Sequence, residues 1–260
     1  MEKLKCIGGI LGDIVGKPYE FHPVKEKDVP LIMNSARFSD DTVMTIAIME
    51  WLMGSDIVES LQRWGNKYPK AGYGKSFWGW LNSDNPQPYN SFGNGSGMRV
   101  SPVGWLFDTI EETMDYAEKS ALPTHNHIEG INGAKAVAGS MWLARHGATK
   151  EDIRKFCTEA FNYNMDRTLA QIRPAYRFEV SCQESVPEAI ICFLESTSYE
   201  DAVRNAISLG GDADTQACMA GAIAEAFGYE IPDILYNMAM KKITPEMQRV
   251  LFNFNTKIKK

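Results

Sequence analysis

Glycine recurs every fourth residue along the first apolar segment, at Gly8, Gly12 and Gly16. On a helix over 4–16 this spacing lines one face with glycine and leaves it nearly flat. Each glycine costs a helix about 1 kcal/mol relative to alanine, so close packing against another backbone must compensate. A second stripe of small residues, Ala217, Ala220, Gly221 and Ala224, follows the same rule far along the chain. Two such faces constrain the chain to close helix-on-helix packing. Other apolar-periodic segments read as helices over 43–53, 61–68, 77–81, 133–146, 150–161, 186–196 and 217–227. Pro187 suits the first turn of its helix. Only 176–182 hints at a strand. Many helices without an alternating βαβ pattern predict an all-α fold.

Two oxygen-rich clusters precede the most apolar of these helices: Ser39-Asp40-Asp41, and Asp212-Ala213-Asp214-Thr215. Ser and Asp are frequent N-caps, and acidic side chains suit a helix N-terminus, so capping accounts for either cluster taken alone. Asp212 and Asp214 together exceed what one cap needs, and Gly210-Gly211 lets the backbone come close to a neighbour. Four carboxylates at two helix starts repel one another unless a divalent cation, or two, lies between them. An all-oxygen set without Cys or His selects Mg or Mn over Zn. The clusters lie about 170 residues apart and would share a site, and no linker, repeat or low-complexity tract divides the chain. One domain over 1–260 is expected.

Composition limits the partners. The chain is 44% hydrophobic and 23% charged, with net charge −6, so it does not attract nucleic-acid backbones in general. The five cysteines are odd in number and lack CxxC spacing, which fits free thiols in a reducing cytoplasm. No signal peptide is expected, and no segment approaches the ~20 apolar residues of a membrane helix.

Several familiar motifs fail. Gly72-Tyr73-Gly74-Lys75-Ser76 has Pro69 where a phosphate-binding P-loop needs glycine. Gly93-Asn94-Gly95-Ser96-Gly97 carries Met98 where a dinucleotide fingerprint needs Gly or Ala, and no apolar strand precedes it. That loop reads either as a flexible turn or as a nest of N–H groups for a diphosphate. His125-Asn126-His127 lacks partners for zinc, and His127 reads as an ordinary satisfied histidine. No Gly-x-Ser-x-Gly elbow occurs. Cys218 belongs to a helix of small residues and reads as core. Asp13, in an apolar helix, reads as a buried group hydrogen-bonded to backbone.

Phe38-Ser39-Asp40-Asp41-Thr42 and Leu209-Gly210-Gly211-Asp212-Ala213-Asp214-Thr215 resemble the paired metal motifs of the ADP-ribosylglycohydrolase family. The opening segment from Gly9 to Phe21, the glycine-rich loop from Gly93 to Pro102 and the segment Thr124-His125-Asn126-His127 are similar to three further family motifs. Their order agrees, and the resemblance covers roughly residues 6–232. It implies a compact orthogonal bundle of helices and a metal-dependent hydrolase that frees ADP-ribose from an acceptor. By the family pattern two Mg or Mn ions are held, with Ser39, Asp40 and Asp41 serving one. Asp212 and Thr215 serve the other, and Asp214 bridges. The catalytic set would be Glu20, Asp40 and Asp214. Ser91, Phe92, Gly93, Gly95 and Met98 would line the substrate, and His125 would hold its phosphate. The expected partner is an ADP-ribosylated protein or a small ADP-ribose derivative. Two other readings stay open: a non-catalytic, crystallin-like binder, and a metal-dependent hydrolase of another nucleotide-like molecule.

Overall fold

The computed structural model describes residues 3–258. The chain runs through helices α1 (Gly8–Gly16), α2 (Asp40–Leu52), α3 (Ile57–Lys67), α4 (Lys75–Leu81) and α5 (Gly95–Met98). It continues through α6 (Ser101–Leu106), α7 (Ile110–Ala121), α8 (Ile128–Arg145), α9 (Lys150–Phe161) and α10 (Leu169–Ile172). The last five are α11 (Cys182–Leu194), α12 (Tyr199–Ile207), α13 (Ala213–Ala226), α14 (Asp233–Lys242) and α15 (Pro245–Asn255). A short 3-10 turn, Lys17–Tyr19, continues α1. The expected all-α architecture holds. Among the described residues there is no strand, and one isolated antiparallel bridge joins Gly93 to Ser181.

The two small-residue stripes meet each other. A Cβ at Gly8 would lie 2.6 Å from the Gly221 carbonyl oxygen, and one at Gly16 would lie 2.6 Å from both the Ala213 oxygen and the Asp214 Cα. Helices α1 and α13 therefore pack backbone to backbone. At the far end Glu225 reaches across from α13 and accepts from Gly8 N at 2.8 Å and Ile7 N at 3.3 Å. Those N–H groups begin α1 and lack partners of their own, so a neighbouring carboxylate caps them. This cap fixes the helix start at Gly8, four residues later than the periodicity suggests. The apolar side chains of these and the surrounding helices form one continuous core. All five cysteines are buried free thiols.

Two local expectations need correction. The segment 176–182 forms no strand; its pairing with the glycine-rich loop ends after the single bridge. Pro187 lies inside α11 rather than in its first turn, because the helix begins at Cys182, whose N–H is held by Phe92 O at 2.8 Å. The proline removes the N–H that would reach Gln183, an exposed residue whose carbonyl can turn to water.

Candidate metal centre

The contact between α1 and α13 brings the acidic clusters together. Gly16 seats the end of α1 on Asp214, so the following turn presents Lys17 and Glu20 to the start of α13. Glu20, Asp212 and Asp214 each contribute an oxygen to a group lying within 4.8 Å of one another. The first cluster joins through Thr215, whose hydroxyl donates to Asp41 Oδ1 at 3.4 Å.

Capping explains only part of this. Ser39 is extended, and its hydroxyl accepts from Asp41 N at 3.2 Å, as an N-cap does. Asp212 occupies the equivalent position before α13, yet its carboxylate caps nothing there. It accepts instead from Asn94 Nδ2 at 2.8 Å. Gly210, at φ +63°, turns the chain just before it. A Cβ there would lie 2.8 Å from the Val24 carbonyl.

The cluster carries more negative charge than its surroundings balance. Asp41 Oδ2 and Asp214 Oδ1 are buried and receive no hydrogen bond. Burial and the neighbouring Asp214 carboxylate raise Asp40 to about 7, although its side chain keeps an opening to solvent. Burial, then the charges of Asp13 and Asp214, push Asp41 well above the carboxylate range. Burial and Asp214 do the same to Asp212. Glu20 is raised by burial and Asp214, against the pull of Lys17. Lys17 is ion-paired to Glu20 and to Asp214, the latter at 2.9 Å. Burial alone would lower Lys17, but those carboxylates outweigh it and hold the ammonium above its usual range. Bare buried oxygens in an all-oxygen donor set fit a hard divalent cation.

Asp13 stands behind the first cluster. Its Oδ2 accepts from Ser39 N at 2.9 Å, Thr42 N at 3.1 Å and the Thr42 hydroxyl, fixing the first turn of α2. Burial and Asp214 raise it to about 6.

The glycine-rich loop borders the second cluster through Asn94. It is pinned by Asn94 N to Val180 O at 2.7 Å and by Gly93 N to the Ser91 hydroxyl at 3.2 Å. His125 faces this loop, and a Cβ at Gly95 would lie 3.3 Å from its Nε2. The buried Arg99 donates to the Thr124 hydroxyl at 2.9 Å, and that hydroxyl is hydrogen-bonded to His125 Nδ1 at 2.7 Å. Nε2 is the ring nitrogen turned toward the glycines. Burial and Arg99 hold His125 well below its usual range, so the ring is neutral. Phe92 is 49% exposed and offers an open aromatic face, whereas Met98 is buried beneath Gly95. His127 caps α8, its Nδ1 accepting from Glu129 N.

Sequence reading passed over Lys17, Asn94 and Arg99. Lys17 and Asn94 lie inside motifs already singled out, where a charged or amide side chain among glycines was the available signal. Arg99 also lies in the glycine-rich motif, but burial of an arginine is invisible in one sequence. Phe21 and Phe178 were also missed; they stack at 6.0 Å, both exposed, joining the Glu20 turn to the segment that pairs with the glycine loop.

Comparisons with known proteins identify what the chain is similar to. A model of the ADP-ribosylglycohydrolase family matches residues 5–241. The mouse ADP-ribosylhydrolase ARH3 is 28% identical over 305 residues, covering 85% of this chain and 82% of its own. The ADP-ribosylarginine hydrolase Tri1 of Pseudomonas putida is 24% identical over 257 residues, covering 85% of this chain and 68% of its own. A solved structure titled ADP-ribosylglycohydrolase-related protein complex superposes with a TM-score of 0.72 at 21% identity, covering 97% of this chain and 96% of that one. That likeness shows the fold. No helix among the described residues is long and apolar enough to cross a membrane.

Proposed function

Because the chain belongs to the ADP-ribosylglycohydrolase family, we propose that it hydrolyses the bond between the distal ribose of ADP-ribose and an acceptor, using two Mg or Mn ions. The observation that carries this reading is the pair of bare buried oxygens, Asp41 Oδ2 and Asp214 Oδ1, one from each cluster. Ser39, Asp40 and Asp41 would hold one ion, Asp212 and Thr215 the other, with Asp214 between them. Bound ions would supply positive charge at the ribose hydroxyls and lower the pKa of water.

The protein's own groups do the rest. Departure of the acceptor with its bonding electron pair leaves oxocarbenium-like charge on the anomeric carbon, which water then attacks. Glu20, partly open and held above the usual carboxylate range by burial and Asp214, would orient the attacking water and take its proton. Ser91, Gly93 and Gly95 would let the diphosphate approach the loop backbone. The neutral His125 would donate to it from Nε2, and Phe92 would face the nucleoside. Met98 would support the loop from below.

A panel of ADP-ribosylated substrates tests the proposal: arginine- and serine-linked peptides, an ADP-ribosylated nucleic-acid end and small ADP-ribose derivatives. Release of free ADP-ribose from at least one, dependent on Mg or Mn, supports it. Metal binding with no release from any member would turn the reading toward another nucleotide-like substrate.

A further inference from the structure

We propose that the Lys17 ammonium is a built-in competitor for the divalent-cation site, standing between Glu20 and Asp214 until metal loading displaces it. The inference rests on the metal-centre reading above. Gly16 packs on the Asp214 backbone, so position 17 is delivered to the Asp214 carboxylate by the fold rather than by chance contact of a long side chain. The Lys17 side chain is only 9% exposed, against 3% for Asp214 and 12% for Glu20. Its two partners are two of the three acids whose oxygens converge within 4.8 Å. A Cβ at Gly72 would lie 3.4 Å from Lys17 Nζ and 3.2 Å from Asp40 Oδ1, so the ammonium also lies near the first cluster.

One ammonium does not complete this site. With Lys17 in place, Asp41 Oδ2 and Asp214 Oδ1 remain bare. Five carboxylates, Glu20, Asp40, Asp41, Asp212 and Asp214, face the Lys17 ammonium, with Arg37 acting further on Glu20 alone. A divalent ion brings twice the charge and several coordination positions. Coordinated by Asp214 and Glu20 at about 2.0–2.6 Å, it would lie close to the ammonium on Asp214 Oδ2, and like-charge repulsion favours the ammonium's departure. The flexible four-carbon stem lets Lys17 leave. Lys17 thus stabilises the metal-free cluster and weakens the affinity for the ion that replaces it.

The test uses metal-stripped full-length protein titrated with Mn ions, with free Mn followed by electron paramagnetic resonance. Wild type is compared with Lys17→Met and Lys17→Arg. Lys17→Met should bind the weaker ion on the order of tenfold more tightly, a scale set by removing one nearby charge. It should melt lower than wild type without metal and gain more from Mn, whereas Lys17→Arg should stay close to wild type. Equal or weaker Mn binding by Lys17→Met would overturn the proposal and make Lys17 an ordinary structural ion pair. Amine-selective labelling of wild-type protein gives a readout independent of the variants. Lys17 should label faster once Mn is bound, and an unchanged rate contradicts displacement. If wild type and variants alike bind no Mn, the metal-centre reading falls together with this one.

Discussion

Gly12 lies so close to Ala217 that a Cβ at position 12 would sit 2.1 Å from the Ala217 carbonyl oxygen. The contact is backbone against backbone, so no side chain can yield. Gly12→Ala should therefore destabilise the protein by about 1–3 kcal/mol as α1 and α13 are pushed apart, outweighing the gain in helix propensity. Gly79→Ala is the control. That glycine is exposed within α4 with nothing near its Cβ position, and the substitution should be neutral or stabilising. Chemical denaturation of both variants measures the difference.

The acidic cluster makes the metal-free protein sensitive to rising pH. Asp13 is raised to about 6 and Asp40 to about 7, in both cases by burial first and then by Asp214. The unfolded chain releases these protons near pH ~3.9. Between about pH 4 and 7 the folded state therefore holds more protons than the unfolded state, and stability falls as pH rises. Melting in chelator should show a lower Tm at pH 8 than at pH 5. The rise in Tm on adding Mg should be larger at pH 8, where fewer protons need be displaced. An equal Mg-induced rise at both pH values would mean that Asp40 does not receive the ion.

Asp214→Asn should cost more activity than Asp13→Asn. In Asp214→Asn a charged oxygen at the convergence of both clusters is lost, and metal affinity should drop by ~10-fold or more. Asn at position 13 retains an oxygen able to accept from Ser39 N and Thr42 N, so α2 should keep its first turn. Kinetics and Mn titration on the two folded variants decide the ranking; equal losses would reject it.

The fold was largely legible because its dominant contact is written in small residues. The stripes at Gly8, Gly12, Gly16 and at Ala217, Gly221 announce close packing before any partner is known. Helix ends were less legible where tertiary contacts set them. Glu225 stops α1 from starting earlier, and Phe92 O starts α11 at Cys182. The acidic motifs pointed to the candidate metal centre, but Lys17 was not recognised as part of it. Its role comes from the position of Asp214, about 200 residues away, which no local pattern encodes. The buried relay from Arg99 through Thr124 to His125 was hidden for the same reason.

Glu20→Gln separates chemistry from binding. The backbone turn at residue 20 stays in place, and glutamine preserves the size of the side chain. Loss of the base should lower hydrolysis by ~100-fold to 10,000-fold while ADP-ribose binding stays within a few-fold. Calorimetry beside single-turnover assays reads both quantities. Near-wild-type turnover would remove Glu20 from the mechanism.

The most direct measurement is release of ADP-ribose by protein verified to be metal-free, before and after Mg or Mn is restored, on whichever substrate of the panel is cleaved. The account predicts no turnover without metal, recovery with either ion, and no recovery in Asp214→Asn at the ion concentration that saturates wild type. Full turnover by the metal-free protein would contradict it.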